Sequence, residues 1–365
     1  MNEIEIPPKI NYKNKQIQIG KLKLNYWEEG DGTDTLFLIH GHTGNVEEWY
    51  FQVFYFEKDY KVIAIDLRGH GKSQIDEKEM NFNDLAEDLN IFLEKKGISK
   101  IILIGHSMGG MIAQLFTLNY PEKVKKLVLI STTPGSPPRK IPESYLEYMR
   151  ATEVPKLIEM TSKLASIPID KISPERRDFY KKLQQWSLIR RAKAISNDTY
   201  IKYLLASSNF DVRSLLNKIT VPTLIISGDK DKLVQIKNSK LLNEKIPNSK
   251  LVTLTECGHA PQREYFKKFN EILSKFLKGE IKVSNNPKKK ENENIISLRG
   301  TVKHLPFEGG FFGIVGEDGN KYKPKKLESE FQKNGLKVLF KAKKIPMASI
   351  HMWGTTIKIL EIKKI

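Results

Sequence analysis

The sequence predicts a doubly wound, mostly parallel α/β sheet with a helical insertion, followed by a small all-β barrel-like unit. Three observations lead there. Short, uninterrupted apolar runs alternate with stretches of helical period, as strands buried on both faces of a parallel sheet require. The alternation stops between residues 135 and 219, where the pattern is helical and amphipathic only. Beyond residue 295 the period becomes two, apolar against polar. A chain of 365 residues is long for a single core and suits a large domain with an appendage.

The first element is an alternating stretch about Gly20, QIQIGKLKLNYWEE, which reads as a hairpin. Apolar strand runs follow at 35–39 (TLFLI), 61–66 (KVIAID), 100–105 (KIILIG), 126–131 (KLVLIS) and 223–228 (TLIISG), with a further strand-like run at 250–255. Between the second and third of these lies an amphipathic helix, 83–96, with Asn83 as its expected N-cap. The insertion, 135–219, is broken by prolines at 137, 138, 142, 155, 168 and 174, and we expect it to form a lid. A helix over 263–279 closes the first domain, 1–280. Residues 281–294 are polar, charged and aperiodic, as a linker is. The second domain, 295–365, alternates at period two and carries a tight-turn signal, EDGN, at 317–320.

Lys and Arg number 61 against 43 Asp and Glu, a formal charge of +18. Residues 281–365 hold 18 of the basic and 8 of the acidic residues. Such an excess suits an acidic partner, though a generally lysine-rich composition produces it as well. Phe311, Phe312, Tyr322 and Trp353 stand among those lysines, so single-stranded nucleic acid is a conceivable partner; a barrel core with solvated lysines is the preferred reading. The single Cys257 excludes an internal disulfide. There is no signal-like N-terminus and no apolar run near the ~18 residues that cross a bilayer. A cytoplasmic protein without a membrane span is therefore expected. Met347, His351 and Met352 lie close in sequence, but no second cluster supports a metal site, and no cofactor is expected.

The chemistry centres on GHSMGG, 105–110, which contains G-x-S-x-G. It follows an apolar strand run and opens a helical pattern. A strand turning sharply into a helix strains the residue at the corner and crowds its neighbours two places away, which favours glycine there. The serine hydroxyl then stands over the C-terminal edge of the sheet, beside the unpaired N–H groups of a helix start. A capping serine at an ordinary turn is the alternative. A serine nucleophile needs a base and the base an orienting acid. Among seven histidines, His259 lies in a loop after a strand run and before the last helix. Asp229 and Asp231 both lie in SGDKDKLV, at the end of the strand 223–228. The order serine, aspartate, histidine is the one this topology uses. For an oxyanion, the backbone N–H of Met108 is one candidate donor and that of His42, in HGHTGN (40–45), the second.

With HGHTGN, DLRGHGKS (66–73), GHSMGG, SGDKDKLV and GHAPQREYF in this order and spacing, the chain resembles the α/β-hydrolases of the carboxylesterase and lipase-like kind over roughly residues 15–280. The resemblance implies a Ser107–His259 pair. It places the acid three residues after the glycine ending its strand, hence Asp231 after Gly228, with Asp229 a neighbour. It gives Asp66, Arg68 and Ser73 a structural rather than a catalytic role. Relatives with an aspartate nucleophile are disfavoured because Ser107 occupies the corner. The expected activity is hydrolysis of small-molecule acyl esters; lactones, thioesters and C–C bonds β to a ketone share the same triad. The alternative from another class is a non-enzymatic tethering protein using the basic barrel. Tyr145, Met149 and Trp186 of the insertion are expected to line the substrate pocket. Lys181, Lys182, Arg190, Arg191 and Lys193 are expected to form a solvated face.

Overall fold

The computed structural model describes residues 8–77, 80–136, 140–283, 295–305, 310–345 and 355–365. The chain divides into two compact units, Met1–Asn286 and Pro287–Ile365. In the first, eight strands form one sheet: β1 (Lys15–Ile19), β2 (Leu22–Glu29), β3 (Thr35–Ile39), β4 (Lys61–Ile65), β5 (Ile101–His106), β6 (Val124–Ile130), β7 (Thr223–Gly228) and β8 (Ser249–Leu254). Their order is β1-β2-β4-β3-β5-β6-β7-β8. The β1–β2 hairpin joins β4 antiparallel, and every pairing from β4 onward is parallel.

The apolar runs are continuous because each strand feeds two cores. Phe37, Ile39, Leu103, Leu127 and Ile225 join the core on one face of the sheet. Leu36, Leu38, Ile102, Ile104, Val128 and Leu224 join the core on the other. Parallel strands bring their C-terminal ends to one edge, and the loops after β3, β5, β7 and β8 gather there.

Two boundaries differ from expectation. The helix Phe82–Lys96 is capped by Asn81, whose side chain accepts from the N–H groups of Asn83 and Asp84; Asn83 is already helical. The last helix is two pieces, Pro261–Glu264 and Phe266–Leu277, parted at Tyr265 where φ is −130°. Within the insertion, helices span Glu143–Arg150, Val154–Ala165, Pro174–Ala192 and Asn197–Ser208. Pro155 and Pro174 fall in the first turns of their helices, where no N–H partner is lost.

The second unit is a closed barrel of β9 (Ile295–Leu305), β10 (Phe311–Gly316), β11 (Lys321–Pro324), β12 (Lys337–Lys344) and β13 (Thr355–Lys364), ordered β10-β11-β13-β12-β9. Val302, Ile314, Val338, Phe340 and Ile357 fill it. The EDGN turn links β10 to β11, with Gly319 at φ 76°. Tyr322 is 1% exposed inside the barrel, so it offers no stacking face to a nucleic acid. Phe312 packs against the same core, and Lys323 sits 4.3 Å from the Phe311 ring centroid. Trp353, Met347, His351 and Met352 lie outside the described residues, as does most of the expected linker. Among the described residues no helix is long and apolar enough to cross a membrane.

Candidate active site

Ser107 stands between β5 and the helix Met108–Asn119 with φ 52° and ψ −117°, a conformation that costs a non-glycine residue energy. The corner is held on both sides: Ser107 N donates to Ile130 O (2.8 Å), and Thr132 Oγ1 donates to Ser107 O (2.6 Å). The flanking glycines are needed for close approach. A Cβ at Gly105 would lie 2.4 Å from Gly109 O, and one at Gly109 would lie 2.3 Å from Ile39 O.

His259 Nε2 is 2.9 Å from Ser107 Oγ, and His259 Nδ1 is 2.7 Å from Asp231 Oδ2. The other carboxylate oxygen, Asp231 Oδ1, accepts from the backbone N–H of Leu233 and of Val234, both at 2.9 Å. Asp231 is thus fixed as an acceptor and holds the proton of His259 on Nδ1. This leaves Nε2 to accept from the serine hydroxyl. Asp229 faces elsewhere: it accepts from Cys257 N (3.3 Å), pairs with Lys230 (3.1 Å), and is 29% exposed. The insertion supports His259 directly, since His259 N donates to Ala165 O at 2.8 Å.

Met108 opens its helix, so its N–H finds no carbonyl within that helix. The loop after β3 lies alongside: a Cβ on Gly41 would be 3.3 Å from Ser107 Cβ. His40 anchors that loop. Its Nδ1 donates to Gly41 O (2.8 Å) and its Nε2 accepts from Leu67 N (3.1 Å), while burial pulls its pKa down to about 4. The His42 ring packs on Tyr200 with centroids 4.5 Å apart; burial and then the Arg191 charge lower its pKa to about 3. Both imidazoles are therefore neutral at pH 7. Asp66, Arg68 and Ser73 brace the neighbouring turn. Asp66 accepts from Val46 N, Lys72 N and Asn25 Nδ2, Ser73 Oγ donates to Asp66 O, and Arg68 forks onto Asp88.

The expected solvated face of the insertion is corrected at two residues. Arg190 is 5% exposed; its Nη1 donates to Asn45 Oδ1 (2.7 Å), but Nε and Nη2 have no partner among the described residues. Burial lowers its pKa to about 9. Arg191 donates to Thr43 Oγ1 (2.7 Å) and Ser162 Oγ (3.1 Å), and burial lowers it to about 10. A third guanidinium, Arg263, is buried nearby and donates to Ser187 Oγ. All three feel the charge of one buried carboxylate, Glu48, or of one another. Period and composition did not single out Glu48, Arg263 or Tyr200; charged residues buried by partners distant in sequence leave no local signal.

Of the expected pocket residues, Tyr145 is about half exposed and lies near Tyr200. Met149 is buried within the core that the insertion forms with Leu146, Val154 and Tyr200. Trp186 packs on Phe51, 6.1 Å between centroids, and lies 5.3 Å from the Arg190 guanidinium.

Residues 34–264 match the family described as the alpha/beta hydrolase fold. The chain is 30% identical over 268 residues to a 2-hydroxy-6-oxononadienedioate/2-hydroxy-6-oxononatrienedioate hydrolase of Paraburkholderia phymatum, covering 70% of this chain and 91% of that one. Among solved structures, an esterase from Exiguobacterium antarcticum is 26% identical, with a TM-score of 0.64 over 73% of this chain and all of that one. An enol-lactonase from Burkholderia xenovorans, 18% identical, shares the fold with a TM-score of 0.65 over 72% of this chain and all of its own.

Proposed function

This chain belongs to the alpha/beta hydrolase fold family, and from that premise we propose that it is a serine hydrolase cleaving carboxylic esters through an acyl-enzyme intermediate. The observation that carries the reading is the unbroken line of hydrogen bonds from Ser107 Oγ through His259 to Asp231 at 2.9 and 2.7 Å. Ser107 Oγ attacks the acyl carbon while His259 Nε2 takes its proton. Asp231 stabilises the imidazolium and holds its orientation. The carbonyl oxygen becomes an oxyanion at the N–H groups of Met108 and His42. His259 returns the proton to the departing alkoxide, and the alcohol leaves. Water, deprotonated by His259, then attacks the acyl-serine; His259 returns that proton to Ser107 Oγ as the C–O bond to the serine breaks and the acid leaves. Each step uses a group of this chain.

A second reading has its own support. Two buried guanidinium groups, Arg190 and Arg263, and a half-buried third, Arg191, stand against the buried carboxylates Glu48 and Glu264, so the cluster is short of negative charge. A carboxylate on the substrate would supply it. The Paraburkholderia relative is named for dienedioates, compounds with two carboxylates. On that reading the same serine cleaves a C–C bond β to a ketone in an acidic substrate. Lactones and thioesters remain within reach of the same chemistry. The tethering alternative is weaker because every position of the triad is filled.

A substrate panel tests these readings: p-nitrophenyl acetate and butyrate, a half-ester ending in a carboxylate, a lactone, and a β-diketone acid. Turnover of the esters that vanishes in Ser107→Ala supports the first reading. Faster cleavage of the diketone acid supports the second. Failure to turn over any member would overturn both.

A further inference from the structure

Behind the serine lies a group that the acyl-transfer steps do not use. Glu48 belongs to the turn Val46–Trp49 and is 2% exposed. One oxygen, Oε1, takes three donors from three parts of the site. His106 Nδ1, adjacent in sequence to Ser107, is 2.6 Å away. Gln262 Nε2, three residues beyond His259, is 3.1 Å away. Gly41 N, next to His42, is 3.4 Å away, a longer contact. From the far side of the same imidazole, His106 Nε2 reaches His259 O at 2.9 Å.

Proton counting fixes the states. A carbonyl oxygen only accepts, so His106 Nε2 carries a hydrogen. Glu48 Oε1 already accepts from Gln262 and Gly41, so the remaining proton sits on His106 Nδ1. One proton is therefore shared across the 2.6 Å contact between His106 Nδ1 and Glu48 Oε1. Burial alone would raise Glu48, but His106, Arg263 and Arg190 hold it well below the ordinary carboxylate range. Burial pulls the His106 pKa below its ordinary value, against the Glu48 charge and hydrogen bond, which push it up; the geometry itself places one acceptor at each ring nitrogen, Glu48 Oε1 and His259 O.

We propose that Glu48 is a positioning residue that joins the oxyanion loop, the nucleophile corner and the loop carrying the base into one rigid unit, with His106 as the arm that reaches the base. The proposal rests on the reading of Ser107 and His259 as nucleophile and base. Glutamine at position 48 breaks the unit without emptying space. Gln262 Nε2 and Gly41 N hold the glutamine oxygen in the place of Oε1, so a neutral His106 with one N–H can serve either that oxygen or His259 O, not both. His259 then loses its support on one side, and a displacement of about 1 Å at a reacting group can cost about a hundredfold.

The test is Glu48→Gln, read as kcat per active serine on p-nitrophenyl acetate, with the active serines counted by fluorophosphonate titration. We expect kcat per titrated site to fall about ten- to a hundredfold, with KM within about threefold and the rate of fluorophosphonate labelling falling in parallel. His106→Asn is the second variant. Its amide keeps a donor for Glu48 and loses the arm to His259 O, and the same split is expected. Either folded variant keeping the wild-type kcat per titrated serine would overturn the proposal, including the case in which only the number of active sites declines. A wild-type protein that never labels would fail the nucleophile reading itself, and this proposal with it.

Discussion

Replacing Asp231 by Asn changes one atom and reverses one hydrogen bond. Asp231 Oδ1 accepts two backbone N–H groups, from Leu233 and Val234, each at 2.9 Å. Those donors hold the amide oxygen of Asn at that place and turn its NH2 group toward His259 Nδ1, where Oδ2 stood at 2.7 Å. Two donors cannot face each other, so the ring proton moves to Nε2. Nε2 then points an N–H at Ser107 Oγ and cannot take its proton. A base locked in the wrong tautomer costs about ten-thousandfold in kcat, ~5.5 kcal/mol of transition-state stabilisation. Asp229→Asn is the internal control. That side chain is 29% exposed, and the amide can still accept from Cys257 N, so the change stays within about threefold. The assay is steady-state hydrolysis of p-nitrophenyl acetate by both variants and the wild type, with melting temperatures confirming that all are folded. Equal losses at the two positions, or Asp231→Asn keeping more than about a tenth of the wild-type rate, would refute the assignment of the acid.

Stability should decline as pH falls through the window between about 6.5 and 4. Burial lowers His40 to about 4 and places His70 well below its ordinary value, so over that window the unfolded chain binds protons that the folded chain refuses. Each such histidine tilts stability by ~1.4 kcal/mol per pH unit. Asp66 works in the opposite sense between its ordinary value and about 6, because burial raises it, and burial raises Glu57, Asp88 and Glu264 as well; His42, lowered to about 3, joins the other two histidines, whose window opens higher, at about 6.5. A melting temperature unchanged between pH 7 and 4.5 would contradict this. A chain ending at Val283 should fold and keep hydrolysis within a few-fold, because every group of the proposed mechanism precedes residue 265; loss of all activity in a folded truncation would show that the second unit completes the site. The barrel unit should bind single-stranded DNA weakly or not at all, with Tyr322 buried; sub-micromolar binding that weakens steeply with salt would overturn that.

The corner at Ser107 was legible because its constraint is written as glycine within one short motif: Gly105 and Gly109 stand where any Cβ would strike backbone, at Gly109 O and at Ile39 O. The sheet was legible because strands that feed two cores have no polar face to interrupt them. What the sequence could not display were contacts decided by partners far along the chain. Arg190 and Arg191 sit in a basic stretch that reads as a solvated helix surface, yet they turn onto Asn45 and Thr43, about 145 residues earlier. Glu48 looks like one of two acidic residues in a turn; only the fold brings His106 and Gln262 to it. Asn81 and Asn83 flank Phe82 and are equally good caps by type. Extended backbone at Asn81, with φ −134° and ψ 152°, decides between them. At Tyr265 the apolar period runs on through the break, so periodicity alone gives one helix where the backbone makes two.

The central claim is that Ser107 forms the covalent intermediate. Its most direct test is to react the protein with a fluorophosphonate, digest it and locate the adduct by mass spectrometry, alongside Ser107→Ala. A single adduct on Ser107, absent from a folded Ser107→Ala variant whose ester hydrolysis has fallen by several orders of magnitude, is the predicted result. An adduct on another residue, or a Ser107→Ala protein that keeps more than about a tenth of the wild-type rate, would contradict it.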